Sequence, residues 1–286
     1  MTTQLERRPI QPLYDATNVV PAYQLRYAWT GWPSKDKFAQ TPMDLLTDLE
    51  AAWQTDGLRL LEQRWSEKQV QLLFSATPTV SPEFLAQRAK GRLDHAIRKA
   101  GLQMPLSRKM SVRSIGDNVS SDVKAYIENQ VGKAQFANVH FESLMNAYTV
   151  VNDFDLSQPS ETKRGRYWYN LHIVLGTAER FAIVDERRLA TLRDWTLGIA
   201  SKHGHSISRL AIMPDHLHVA LRGNHTHCPC TIVNAFQNNL AYAVGQKRIW
   251  QNSYYVGTFS EYNMRAIRRG IDAASHGNTT MADADG

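Results

Sequence analysis

The strand-like and helix-like stretches of this chain run through one order twice, and that repetition constrains the fold more than any single motif. The first pass opens with "AYQLRYAWT" (22–30), alternating like a half-buried strand, then the helical "PMDLLTDLEAAWQT". Two strand-like runs follow, "LRLLEQRW" and "QVQLLFSA", then a helix opened by "SPEF", with Ser81 as cap and Pro82 in the first turn. The strand "KMSVRSI" and the helix "SSDVKAYIENQV" complete the set. The second pass reads "YWYNLHIVLG" as strand, "DERRLATLRDWTLGIASKHG" as helix, and "SISRLAIM" and "HLHVALRG" as strands. A helix through "TIVNAFQNNLAYAVGQ", the strand "SYYVGTF" and the helix "EYNMRAIRRGID" end it. Between the passes, "NDFDLSQPSETKRGR" is rich in turn formers and charge.

The expected class is therefore α+β: two tandem units, each a mainly antiparallel sheet with helices packed on it. The boundaries that follow are an N-terminal extension over 1–20, a first unit over 21–150 and a linker over 151–166. A second unit covers 167–275, and 276–286 forms a disordered tail. With 286 residues each unit can bury a core of its own. No apolar run approaches the roughly 20 residues of a membrane helix, and "MTTQLERRPIQ" lacks a signal-peptide core. Cys228 and Cys230 are the only cysteines and stand too close together to staple a fold, so a reducing, cytoplasmic setting is expected. The net charge of +6 tilts partner choice toward polyanions.

Within the second unit, "AIMPDHLHVAL" (211–221) places His216 and His218 one residue apart in an apolar run. Successive side chains alternate faces in a strand, so both imidazoles point the same way, as a shared metal ion requires. Aligning the two passes sets "EKQVQLLFSATP" against "PDHLHVALRGNH", so Gln69 and Gln71 stand where the histidines stand. Glutamine is a poor ligand beside imidazole, which makes the first unit's version of this site degenerate. Aligning "DVKAYIENQ" with "NMRAIRRGI" sets Tyr126 opposite Ile267 and Gln130 opposite Ile271. Each unit keeps what the other lacks.

"MPDHLHVAL" resembles the histidine–hydrophobic–histidine strand of the single-tyrosine HUH transposases of insertion sequences and their REP-associated relatives. "SIGDNVSSDVKAYIENQ" resembles that family's nucleophile helix, where a tyrosine precedes a metal-ligating glutamine by four residues, and "SYYVGTF" resembles the strand leading into it. The resemblance implies two ferredoxin-like HUH domains fused as a pseudo-dimer, whether the whole chain is a monomer or dimerises further. It implies one composite site: Tyr126 as nucleophile, with His216, His218 and Gln130 holding Mg²⁺ or Mn²⁺. It further implies cleavage and rejoining of single-stranded or hairpin DNA through a covalent phosphotyrosine, in a cytoplasmic, nucleoid-associated setting without a membrane.

Candidate phosphate contacts are Arg88, Lys90, Arg92, Arg98 and Lys99 on one helix, with Lys247, Arg248, Arg265, Arg268 and Arg269 elsewhere. Trp168, Trp250, Tyr254 and Tyr255 are candidate base-stacking platforms. Blander readings stand beside each of these: a solvated helix face for any one cation, core packing for the aromatics, and a surface position for His95. "HTHCPC" (225–230) has zinc-type donors in His225, His227, Cys228 and Cys230, at a spacing tighter than structural zinc prefers. Two rival functional readings are a nuclease acting in cis through Tyr254 or Tyr255, and a domesticated hairpin-DNA-binding protein without cleavage activity.

Overall fold

A computed structural model describes residues 12–39, 44–134 and 139–261. In chain order the first half contains β1 (Val20–Gln24), β2 (Arg26–Pro33), α1 (Asp44–Thr47), α2 (Glu50–Thr55), β3 (Leu58–Trp65) and β4 (Val70–Ala76). It continues with α3 (Pro82–Lys99), β5 (Leu106–Ile115), α4 (Ser120–Glu128), α5 (Gln130–Lys133) and α6 (Val139–Tyr148). The second half contains β6 (Val150–Val151), β7 (Ser160–Glu161), β8 (Gly165–Trp168), β9 (Asn170–Gly176), α7 (Glu186–Lys202) and β10 (Ser206–Ile212). β11 (His216–Arg222), α8 (Pro229–Val244) and β12 (Ser253–Thr258) follow. The expected α+β class is the one observed.

Helix boundaries follow local chemistry. The Ser81 hydroxyl accepts from the Phe84 amide at 3.2 Å to open α3, and the Asp185 carboxylate accepts from Arg188 at 2.9 Å to open α7. Pro229 starts α8, and Gly245 ends it in the left-handed region (φ 73°), where glycine alone pays no steric penalty. Two expected helices are broken. The 42–55 run forms the short α1 and α2, and the 120–131 run is interrupted at Asn129 between α4 and α5.

The strands form two six-stranded sheets, ordered β3-β4-β2-β5-β8-β7 and β10-β11-β9-β12-β1 with β6 beside β10. From β3 and from β10 outward the first five strands correspond one to one: three antiparallel pairs, then a parallel pair, β5·β8 or β12·β1. The parallel pairs are exchanged. β1 runs along the second sheet before the chain enters the first as β2, and β8 runs along the first before it enters the second as β9. The polar join is thus built into sheet structure as β7 and the start of β8. Residues ahead of β1 pack as well: Tyr14 is buried, and its hydroxyl accepts from the Trp250 amide at 3.0 Å.

One apolar cluster runs through both halves, including Trp29, Trp53 and Phe74 of the first and Ile173, Val219 and Phe236 of the second. β11 is buried along its length after His216, as befits a central strand covered on both faces. Among the described residues no helix is long and apolar enough to cross a membrane.

Candidate active site at the junction of the two halves

Strand register sets one face of the second sheet. His218 lies opposite Val174, Ala220 opposite His172, and Tyr255 opposite Val174 from the other side. His216, His218, His172 and Tyr255 therefore share a face. The opposite face carries Leu217, Val219, Ile173 and Val256, all buried in the main core.

A helix from the other half covers the histidine face. Val123 and Ile127 of α4 pack on Ala211, Ala220 and Phe259, forming a small apolar cluster of their own. Alanine on the sheet lets the helix approach closely, and the next turn outward puts Tyr126 over the imidazoles. Its ring centroid lies 5.5 Å from that of His218 and 6.0 Å from that of His172, nearly perpendicular to both. Glu128 of α4 pairs with Arg209 of β10, whose guanidinium also donates to the Asn152 carbonyl at 2.7 Å. At the crossing point the Ser120 amide donates to the Ser260 carbonyl at 2.7 Å.

Tyr126, Lys133, Asn129, His172, His218 and Tyr255 line a cavity of about 540 Å³. The Lys133 ammonium sits 5.1 Å from the Tyr126 ring centre. Burial pushes the His218 imidazole down to about 3, with His172 and His216 adding to it, and burial alone pushes His172 down to about 4. Both are neutral near pH 7, the form in which imidazole binds metal. His216 Nδ1 lies 2.6 Å from an Asp215 carboxylate oxygen. Burial works to raise the Asp215 carboxyl, but His216 and Arg180 outweigh it and hold it low. That carboxylate accepts the Nδ1 proton and orients the ring. His218 Nε2 is buried and has no hydrogen-bond partner. An orphaned ring nitrogen beside a second oriented imidazole fits a divalent cation.

The sequence candidates sort unevenly. Tyr126 and His218 line the cavity together, and His216 adjoins His218, 4.8 Å between ring centres, without lining it. Gln130 does not line the cavity; its side-chain amide donates to the Tyr126 carbonyl at 3.0 Å, and Asn129 faces the cavity instead. Gln69 and Gln71 line a separate cavity of about 610 Å³ on the first sheet, with Thr30, Ser111, Arg113 and Trp168. Trp250 and Tyr254 are not base platforms, because both are buried in the core. Burial also pushes the Tyr254 phenol well up, which removes it as a nucleophile. Trp168 is covered by the Arg113 guanidinium, 3.9 Å from its ring.

Among the basic candidates, Arg88 and Arg92 pair with Asp56, and Arg98 donates to its own helix at Asp94. Lys99, Lys247 and Arg248 are exposed, Lys90 is half-buried, and Arg265, Arg268 and Arg269 lie outside the described residues, as do Ile267, Ile271 and the expected tail. The "HTHCPC" donors diverge: His225 stacks on Tyr167 at 4.2 Å, His227 turns to His203 and His205, and Cys228 and Cys230 face each other at 3.1 Å. Among the described residues, no group of three or more His, Cys, Asp or Glu side chains is arranged to hold a metal ion. His95 is exposed, as expected. His172 was missed by sequence reasoning, since a lone histidine in "YNLHIVLG" gains meaning only from the register of β9 against β11.

A family comparison falls on the second half. Residues 166–273 match the family model described as "Transposase IS200 like". A candidate transposase from Deinococcus radiodurans R1 is similar at 23% identity, with a TM-score of 0.31 over 36% of this chain and 88% of its own. A REP-associated tyrosine transposase solved bound to a REP hairpin is similar at 17% identity, with a TM-score of 0.30 over 41% of this chain and 74% of its own. No curated protein sequence matches the chain. The family match is thus confined to the residues that carry the histidine strand and those around it, 166–273.

Proposed function

We propose that the chain is a metal-dependent single-stranded DNA endonuclease and strand transferase, with one active site assembled from the two halves of a fused pseudo-dimer. The observation that carries this reading is the seating of the Tyr126 helix from one half on the histidine strand of the other, ring to ring at 5.5 Å. Matching strand orders in the two sheets support the pseudo-dimer. His216 and His218 would hold Mg²⁺ or Mn²⁺, joined by the amide of Gln130 once it leaves the Tyr126 carbonyl. When bound, the cation supplies charge neutralisation at the scissile phosphate.

The chain's own residues do the rest. Tyr126 Oη attacks phosphorus as its proton passes to solvent, and a Tyr–O–P bond forms as the P–O3′ bond breaks. The departing 3′ oxygen takes up a proton and leaves as a hydroxyl. Ester energy is kept, so another 3′-hydroxyl can reverse the step and join strands without a nucleotide cofactor. Lys133, over the Tyr126 ring, favours negative charge on the phenol oxygen in the transition state. Tyr126 is 44% exposed, so a DNA strand has access to it. The substrate class is single-stranded or hairpin DNA, with Lys247 and Arg248 exposed for phosphates. The first sheet's site, with Gln69 and Gln71, is inert, and the working compartment is the cytoplasm, at the nucleoid.

A rival nucleophile has one observation in its favour: Tyr255 lines the same cavity, 5.9 Å from His172. The test is a hairpin oligonucleotide labelled 3′ of the cleavage site and incubated with Mn²⁺, scored for a denaturation-resistant protein–DNA adduct. Tyr126→Phe is expected to lower adduct by at least ~100-fold, and Tyr255→Phe by less than about threefold. The reverse pattern moves the nucleophile to Tyr255. Hairpin binding with no adduct from the parent chain leaves only the non-cleaving reading.

A further inference from the structure

Beyond the two histidines of the sequence motif, His172 stands in the same site without an assigned role. Its Nε2 lies 3.0 Å from His218 Nδ1, and the two rings are within 18° of coplanar with centroids 5.3 Å apart. The 5.3 Å between centroids matches the 3.0 Å nitrogen separation plus one ring radius at each end, so both nitrogens lie on the line joining the rings. The separation is what results when two coplanar imidazoles meet edge to edge, each nitrogen aimed at the other. This is a directed hydrogen bond rather than a stacking contact.

The bond has two possible senses. If His172 donates, His218 must carry its own proton on Nε2, and that nitrogen is buried with no partner. A buried N–H without an acceptor forfeits its hydration with nothing in return, which disfavours this sense. If His218 donates from Nδ1, its Nε2 is a bare lone pair, which a cation can use. His216 is held in the same sense, with Nδ1 on Asp215. Both imidazoles of the motif are then gripped by Nδ1 and present Nε2.

Register in the first sheet adds an independent observation. His172 lies opposite Ala220 on β11, and the corresponding position opposite Leu73 on β4 is Ala28. The sheet with Gln69 and Gln71 in place of the histidine pair therefore has no third imidazole either. Supporter and supported are present together or absent together.

We infer that His172 is a positioning residue that accepts the Nδ1 proton of His218 and so fixes the tautomer in which His218 can ligate a divalent cation. The inference rests on the metal reading above for its purpose, and on the ring geometry for its substance. It requires His172 to carry its own proton on Nδ1.

The experiment is long-range ¹H–¹⁵N correlation of the imidazoles in the full, metal-free chain, with His218 assigned by loss of its signals in His218→Asn. The expected result is a neutral His218 protonated on Nδ1, the minority form of free histidine. In His172→Phe the proton should move mainly to Nε2. In His172→Gln, whose carbonyl oxygen can still accept, it should stay on Nδ1. Mn²⁺ titration followed by electron paramagnetic resonance should give affinity about 10–100-fold weaker for His172→Phe and near parental for His172→Gln. Thermal unfolding of each variant separates these effects from lost packing. Finding His218 protonated on Nε2 in the parent overturns the inference without any variant, as does parental Mn²⁺ affinity in a folded His172→Phe. An Nδ1-protonated His218 in a chain that binds no Mn²⁺ leaves the positioning role standing and sinks the metal reading instead.

Discussion

Tyr126 is partly exposed while His218 against it is buried, a division that suits the proposed nucleophile and the proposed ligand. A second histidine group shows the same physics away from the site. His205 is buried beside His203 and His227, and burial pushes its imidazole down to about 4. Its Nδ1 accepts from the Asn224 amide at 2.9 Å, which a protonated ring cannot do. The unfolded chain takes up that proton near the ordinary value of about 6.5, before the folded chain does. Stability is thus present above about pH 6.5 and lost as pH falls toward about 4. Urea unfolding at pH 7 and pH 4.5 should show a loss for the parent that His205→Asn, which keeps an acceptor near Nδ1, reduces by roughly 2 kcal/mol. At this scale the sequence made His216, His218 and Tyr126 legible, because alternation and motif are local. It also held a cue that was passed over: adjacent tyrosines in a strand face opposite ways, so one of Tyr254 and Tyr255 had to point into the core. The family resemblance sets Gln130 four residues after Tyr126 on one helix, and the break at Asn129 interrupts that helix between them.

Among the elements, α4 decides whether a site exists, because it is the piece of one half that lies on the other. Its seat is made by the small side chains of Ala211 and Ala220 under Val123 and Ile127. Ala220→Leu introduces the residue that the first sheet has at the matching position, Leu73. Overpacking there should cost about 1–3 kcal/mol and lift Tyr126 away from His218. The adduct yield is expected to fall by at least ~10-fold while the circular dichroism spectrum stays parental; an unchanged yield would mean that the helix approach does not matter. Most strands were legible from alternation and turn residues, and β3 coincides with its sequence expectation. The exchange of β1 and β8 was not, because an edge strand carries no mark of which sheet it joins.

For the molecule as a whole, the repeat was readable as element order, while the continuity of the core across both halves was not, since contacts between distant segments leave no periodic trace. The crossing point is tight. A Cβ on Gly116 would meet the Thr258 carbonyl oxygen at 2.3 Å and the Phe259 Cα at 2.9 Å, both backbone atoms of the other half. Gly116→Ala should therefore lower the thermal midpoint of the whole chain by about 4 °C or more, in one transition rather than two. Calorimetry showing one half melting at its parental temperature would contradict that coupling. The β1·β12 pairing also bears on synthesis. Val20 opens the first described strand, and its partner Ser253 opens the last described one. Until β12 is made, β1 lacks its neighbour and β9 lacks one of its two. The cavity that holds Tyr126 and His218 therefore gains its Tyr255 wall only after β12 has been made.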